Sequence, residues 1–108
     1  MNIETLAEDY FEAFSHKDLD TLALMFHEDV TLRDWEISAE GIDDVLTANG
    51  KIFDSVETIQ VTPSALYSDG NTVIAELDIL VNGKEKLLVV DVIEFENDLI
   101  KSIRAYKG

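Results

Sequence analysis

The segment EKLLVVDVIEFE, residues 85–96, alternates along its length as a β-strand does. One face of the predicted strand carries Leu87, Val89, Asp91, Ile93 and Phe95. The opposite face is apolar in its first half and acidic in its second half. Asp91 therefore lies in the middle of the more uniformly apolar row, where an ionised carboxylate is costly. We expect this carboxyl group to be paired, or to be held protonated by a raised pKa.

The flanking segments predict further strands that join this one in an antiparallel meander. The predicted strands are residues 58–67, 72–81, 85–96 and 99–106. Turn signals separate them at Ser68-Asp69-Gly70-Asn71, at Asn82-Gly83-Lys84 and at Asn97-Asp98. Pro63 interrupts the first of these strands, which predicts a bulge or an edge position there.

The start of the chain predicts two helices, separated by Ser15-His16-Lys17. Helical spacing relates Ile3, Leu6, Ala7, Tyr10, Phe11 and Phe14. Asp18 then caps a short second helix that ends at His27-Glu28-Asp29. The residues expected on its buried side are Leu19, Leu22, Ala23, Met25 and Phe26.

A strand and a third helix connect these two halves. Residues 30–35 alternate, with Val30, Leu32 and Asp34 on one face. Gly41 precedes a helix over residues 42–53, whose end is made uncertain by Asn49-Gly50. Helices followed by an antiparallel meander predict an α+β domain, with the helices packed on one face of a curved sheet.

The composition limits the classes of ligand. The 108 residues support one domain, residues 1–108, with one core. Its 23 acidic and 8 basic residues give a formal net charge of −15, which disfavours binding to nucleic acid or to anionic membranes. An uncharged molecule or a cation remains compatible. The chain has no cysteine, no apolar run of membrane-spanning length and no signal segment at its start, so we expect a cytoplasmic protein.

Three polar side chains, Tyr10, Asp34 and Asp91, interrupt otherwise apolar faces. Each has a structural alternative. A tyrosine such as Tyr10 is, taken alone, more often a core aromatic with its hydroxyl at a rim, and Asp34 taken alone is explained equally by a turn cap. Asp91 is explained by an ion pair with Arg104. If their elements converge on one cavity, the three instead fit acid and base groups whose pKa values are set apart by their environment.

Six segments form a familiar pattern that covers nearly the whole chain. They are Asp9–Phe14, Asp18–Asp20, Phe26–Val30, Arg33-Asp34, Val90–Phe95 and Ile103–Tyr106. Together they resemble the nuclear transport factor 2 superfamily, and within it the SnoaL-like and ketosteroid-isomerase-like branch. The resemblance implies a cone-shaped, cystatin-like fold in which three N-terminal helices pack on a curved, mainly antiparallel sheet and enclose a pocket. This fold hosts isomerases, cyclases, hydrolases and non-catalytic modules.

The resemblance also implies roles for the three polar residues. In steroid isomerases of this family, a tyrosine and a protonated aspartic acid donate hydrogen bonds to a developing enolate oxygen, while a second aspartate shuttles the proton. The donors fall on Tyr10 and a neutral Asp91, and the base falls on Asp34. The family usually has proline after the base, whereas this chain has Trp35, which can reshape the mouth of the pocket.

We therefore expect a pocket for a small, uncharged hydrophobic molecule, in which a proton moves next to a ketone. The aromatic residues expected to contact this molecule are Phe14, Phe26, Trp35, Phe53 and Phe95. Two alternatives stay open: a non-catalytic ligand-binding or dimerisation module of the same fold, and a polyketide cyclase-like enzyme. We expect no cofactor and no metal ion. A homodimer is also expected, because the concave sheets of this superfamily often pair.

Overall fold

The computed structural model describes residues 2–108 as three helices and six strands. The helices are α1 (Ile3–Ser15), α2 (Leu19–Met25) and α3 (Ile42–Ser55). The strands are β1 (Phe26–Arg33), β2 (Ser38–Glu40), β3 (Ile59–Asp69), β4 (Thr72–Val81), β5 (Glu85–Glu96) and β6 (Leu99–Lys107). The four strands of the predicted meander are therefore present as β3 to β6.

The strands form a single sheet in the order β2-β1-β6-β5-β4-β3. Every neighbouring pair is antiparallel except β1 and β6, which run parallel. Helix α1 packs against β3 and β4, and α3 packs against β1 and β2. The predicted α+β fold, three helices on a curved and mainly antiparallel sheet, is confirmed.

Side-chain caps determine where the first two helices start. Asn2 Oδ1 accepts a hydrogen bond of 2.8 Å from the backbone N–H of Glu4. Asp18 Oδ1 accepts one of 3.1 Å from the backbone N–H of Thr21, as its position in the sequence predicts. These caps satisfy backbone donors that have no partner inside the helix. The buried residues of α1 are Ala7, Tyr10, Phe11 and Ala13.

The boundary between α2 and β1 differs from the prediction. Helical spacing predicts that α2 includes Phe26, but the helix ends at Met25 and Phe26 begins β1. The segment 27–29, expected to end the helix, is part of the strand. Phe26 pairs with Ile100 of β6, and the register then shifts before Thr31. Sheet pairing and burial of the Phe26 ring thus outweigh the local helical pattern.

The strand predicted over residues 30–35 also ends earlier than expected. β1 stops at Arg33, so Asp34 and Trp35 lie in the loop that follows it. The short strand β2 comes next and pairs with β1, placing Ala39 opposite Leu32. No pattern in the sequence predicts β2, because three residues are too few to show an alternation.

Helix α3 ends at Ser55. Asn49 and Gly50, which make the predicted end uncertain, do not break the helix. Its buried residues Val45, Asn49 and Phe53 share one side. This packing offsets the cost of glycine in a helix interior, about 1 kcal/mol relative to alanine. At 14 residues α3 is the longest helix described, and none in residues 2–108 is long and apolar enough to cross a bilayer.

Register shifts accompany the curvature of the sheet. β3 shifts against β4 between Pro63 and Ala65, and β5 shifts against β6 between Glu94 and Phe95. Pro63 therefore has both predicted features, a bulge and an edge strand. Because bulges bend and twist a strand, the sheet curves around the helices and leaves a space between its inner face and α1 and α3.

Candidate active site

A cavity of about 380 Å³ lies between α1, α3 and the inner face of the sheet. Tyr10 from α1, Asp34 from the loop after β1, and Asp91 from β5 all line it. Most of the remaining wall is apolar, with Leu32 and Leu77 among its members. The structure thus brings together on one cavity the three polar residues that stood out in the sequence.

Asp91 lies at the centre of the sheet, with only 7% of its surface exposed. Its cross-strand neighbours are Ala75 on β4 and Ala105 on β6, and these small side chains leave room for the carboxyl group on the cavity side. Burial, and secondarily the negative charge of Asp34, raise the pKa of Asp91 to about 7. The carboxyl group is therefore protonated far more readily than an exposed aspartic acid.

The alternative ion pair between Asp91 and Arg104 is absent. Arg104 lies opposite Val92 on β5, so its side chain projects from the other face of the sheet. There its guanidinium donates to the carboxylate of Glu94 and forms an ion pair with it. A structural ion pair with Arg104 thus does not explain the buried Asp91.

Tyr10 is held in an aromatic cluster on the inner side of α1. Its ring centroid lies 5.5 Å from that of Phe11, 6.0 Å from that of Phe14 and 6.2 Å from that of Phe26. Burial, and then the charge of Asp91, raise the pKa of the Tyr10 phenol well above its usual value. The hydroxyl therefore keeps its proton and remains able to donate a hydrogen bond.

Asp34 caps a turn and lines the cavity at the same time. Its Oδ1 accepts hydrogen bonds from the backbone N–H groups of Glu36 (2.7 Å) and Ile37 (2.6 Å). Its own N–H donates to the carbonyl oxygen of Ile37 at 2.9 Å. The turn orients the carboxylate through Oδ1.

The predicted aromatic contacts separate into two groups. Phe14 and Trp35 line the cavity, and Trp35 lies at its mouth with 45% of its surface exposed. Lys107 Nζ lies 5.8 Å from the Trp35 ring centroid, within range of a cation–π contact. The other three, Phe26, Phe53 and Phe95, are buried in the core and are not among the residues that line the cavity.

Asn49 is a cavity residue that the sequence interpretation missed. Only 1% of its surface is exposed, and it lines the cavity from α3. Among the buried side-chain nitrogen and oxygen atoms of residues 2–108, its Nδ2 lacks a hydrogen-bond partner. The signal was the spacing, because Asn49 lies one turn from both Val45 and Phe53 on the apolar side of α3.

The ionisable groups that line the cavity are acidic, apart from the Tyr10 phenol. The carboxyl groups that line it belong to Asp34, Glu36, Glu85 and Asp91, and no lysine or arginine in the described part of the chain joins them. This lining repels anionic ligands and admits neutral or cationic ones. Residues 2–108 contain no group of three or more His, Cys, Asp or Glu side chains arranged to hold a metal ion.

Comparisons with known proteins agree with this architecture. A family model described as a SnoaL-like domain matches residues 7–103. No curated protein sequence is significantly similar. One similar solved structure is an NTF2-like protein of unknown function from Cytophaga hutchinsonii, 17% identical over 100% of this chain and 91% of that chain, with a TM-score of 0.85.

Two further structures carry functional descriptions. A protein from Kribbella flavida, provisionally described as a ketosteroid isomerase, is 22% identical over 96% of this chain and 76% of that chain, with a TM-score of 0.84. An LEH-like epoxide hydrolase from M. tuberculosis is 19% identical over 94% of this chain and 79% of that chain, with a TM-score of 0.83. At these identities the likeness shows the fold and leaves the reaction open.

Proposed function

Since this chain belongs to the SnoaL-like family, we propose that its cavity binds a small, uncharged hydrophobic molecule and moves a proton next to a ketone. The observation that carries the proposal is the joint position of Tyr10, Asp34 and Asp91 on one cavity. In the proposal, two of these act as donors and the third as a base, and such groups together accelerate enolisation.

The proposed reaction converts a β,γ-unsaturated ketone into its conjugated isomer. Asp34 removes a proton from the carbon between the carbonyl group and the double bond, which forms a dienolate and a neutral Asp34. The same proton is then returned to the γ carbon, and the double bond moves into conjugation. No atom is gained or lost, so the reaction needs no co-reactant.

The developing enolate oxygen is stabilised by two donors. The Tyr10 hydroxyl keeps its proton because its pKa is raised by burial. Asp91, with a pKa raised to about 7, is protonated in a large fraction of molecules at neutral pH and donates its own proton to the oxygen. Removing one such donor typically costs about 10²–10³ in kcat.

The size and lining of the cavity support the proposed ligand class. A volume of about 380 Å³ lies in the range of small-molecule sites. Phe14 and Trp35 offer aromatic contacts, and the carboxyl groups disfavour an anionic substrate. We propose that Phe26, Phe53 and Phe95 support the cavity wall from the core. For example, Phe53 supports Phe14 through an edge-on contact between ring centroids 4.8 Å apart.

A homodimer is the second proposal, and it concerns the outer face of the sheet. Its exposed apolar residues lie on four adjacent strands: Tyr67 on β3, Leu80 on β4, Leu88 on β5 and Tyr106 on β6. Exposed apolar side chains on such a face favour association, and the charged residues Asp78 and Lys86 lie among them. If the cavity binds its ligand without turnover, the protein is a dimeric binding module. A polyketide cyclase, the other alternative, would use the same acid and base groups.

The proposed function is tested by following the absorbance of the conjugated product from a panel of β,γ-unsaturated ketones. The wild type is expected to exceed the Asp34→Asn variant on at least one ketone, and Tyr10→Phe is expected to lower kcat by about 10²–10³-fold. Glu36→Gln is the matched control, because Glu36 also lines the cavity but takes no part in the proposed proton transfer. Equal rates for wild type and Asp34→Asn on every ketone would exclude the catalytic proposal. In that case, a change in Trp35 fluorescence on addition of a ketone would show binding without turnover.

A further inference from the structure

The amide of Asn49 is the polar group of the cavity that the proposed proton transfer does not use. It projects from α3, whereas the proposed donors come from α1 and β5. Its Nδ2 is buried and has no hydrogen-bond partner within residues 2–108. Unpaired buried donors are few in native proteins because desolvation without a partner is costly, and each one requires an explanation.

The surroundings of Asn49 make the unpaired donor more informative. Val45 and Phe53 flank it one turn away on the same buried side of the helix. A leucine, which branches at Cγ as asparagine does, would suit this apolar environment without leaving a donor unpaired. Local packing of α3 therefore does not account for the amide. Asn49 lines the cavity, so a small rotation of its covered amide brings Nδ2 to an acceptor there.

We propose that Asn49 Nδ2 donates a hydrogen bond to an oxygen of the bound ligand, distinct from the ketone oxygen assigned to Tyr10 and Asp91. The ligand is then a rigid, neutral hydrophobic molecule with two acceptor oxygens. This inference rests on the proposed function for the position of the first oxygen. Anchoring from two walls of the cavity sets the orientation of the skeleton, so Asn49 determines specificity.

The charge of the lining defines the second oxygen further. Asp34, Glu36 and Glu85 contribute carboxyl groups to the same cavity. A carboxylate or phosphate on the ligand would be repelled by them. The oxygen that Asn49 binds is therefore a neutral acceptor, such as a second ketone, an ether or a hydroxyl oxygen.

The test compares two bicyclic enones built on one decalin skeleton, the first with a single ketone and the second with an added ketone on the other ring. Binding is read from the fluorescence of Trp35, the one tryptophan of the chain, which lines the cavity. The wild type is expected to prefer the diketone. Asn49→Leu is expected to reduce this preference about 5–10-fold, the loss of one hydrogen bond.

Controls separate a ligand contact from a structural role. Thr47→Val changes an exposed residue of the same helix and is expected to leave the preference as in the wild type. Asn49→Leu is expected to melt at the same temperature as the ligand-free wild type or higher, because no hydrogen bond within the protein is lost. A much lower melting temperature, an unchanged diketone preference, or no binding of either ketone to the wild type would overturn the proposal.

The proposed proton transfer and the role of Asn49 fail in different ways. Turnover is measured on a β,γ-unsaturated ketone, while the preference is measured by fluorescence with the two enones, which are not isomerised. Absence of turnover together with a diketone preference that depends on Asn49 would refute the catalysis and support the ligand contact. Turnover with no such preference would refute the ligand contact alone.

Discussion

Asp34 and Asp91 lie close enough on one cavity for the charge of Asp34 to raise the pKa of Asp91. The two carboxyl groups have different environments. Asp34 is half-buried and bonded through Oδ1 to two backbone N–H groups, whereas Asp91 is buried between Ala75 and Ala105. Burial favours the proton on Asp91, which is what the proposed neutral donor requires.

Replacement of Asp34 by asparagine is expected to lower the pKa of Asp91, because one of the two causes that raise it is removed. The pKa of Asp91 should stay above that of an exposed aspartic acid, since burial is the larger cause. An NMR titration that follows the Asp91 carboxyl carbon measures both values. Glu36→Gln is the control at the same cavity. An Asp91 pKa that is equal in wild type and Asp34→Asn would show that the two groups do not interact.

Asp91 is expected to make the stability of the fold depend on pH. Its pKa of about 7 in the folded protein exceeds the ordinary 3.8, so between these values the folded state binds more protons than the unfolded state. Stability contributed by the neutral group is therefore lost as pH rises towards and through 7. From pH 5 to pH 8 the loss at this site is about 3 kcal/mol.

The Asp91→Asn variant lacks this titration and should gain stability relative to the wild type by that amount over the same pH interval. Urea unfolding at pH 5 and at pH 8 measures the difference. Asp54→Asn, at an exposed position of α3, controls for the removal of one acid from a protein of net charge −15. If the free energy of unfolding changed equally between pH 5 and pH 8 in wild type and Asp91→Asn, the Asp91 pKa would not be raised by folding.

The outer face of the sheet is expected to mediate dimerisation. Leu88→Lys places a charge in the middle of this face and should raise the dimer dissociation constant at least about 10-fold, because a buried unpaired ammonium is costly. Sedimentation equilibrium measures the constant. Leu24→Lys is a matched control, since Leu24 is equally apolar, more exposed and located on α2. A monomeric wild type at micromolar concentration, or equal effects of the two variants, would refute this interface.

Much of the fold and part of the site follow from the regular spacing of apolar residues within single strands and helices. The alternation of residues 85–96 is sufficient to place Asp91 on the inner face, and helical spacing is sufficient to place Tyr10. Turn signals locate the hairpins between β3, β4 and β5 because these contacts are local in sequence. Predictions of this kind need only the chain segment itself.

The missed features depend on partners distant in sequence. Phe26 begins a strand because it pairs with Ile100 of β6. The strand β2 forms because its backbone pairs with that of β1. The sequence pattern indicates a helix end at Asn49, whereas its burial comes from the sheet and from α2, which α3 contacts. Phe26, Phe53 and Phe95 are apolar and buried, but no sequence pattern separates a cavity wall from the core behind it.

The pH dependence of kcat/KM for ketone isomerisation tests the central claim, that Asp34 moves a proton while a neutral Asp91 donates to the oxygen. Because kcat/KM reports the ionisation of the free enzyme, the wild type is predicted to lose activity above pH 7, where Asp91 gives up its proton. Asp91→Asn, whose amide donates without titrating, should lack this loss near pH 7. A kcat/KM that is level or rising from pH 6 to pH 9 in the wild type, or an equal decline in Asp91→Asn, would contradict the account.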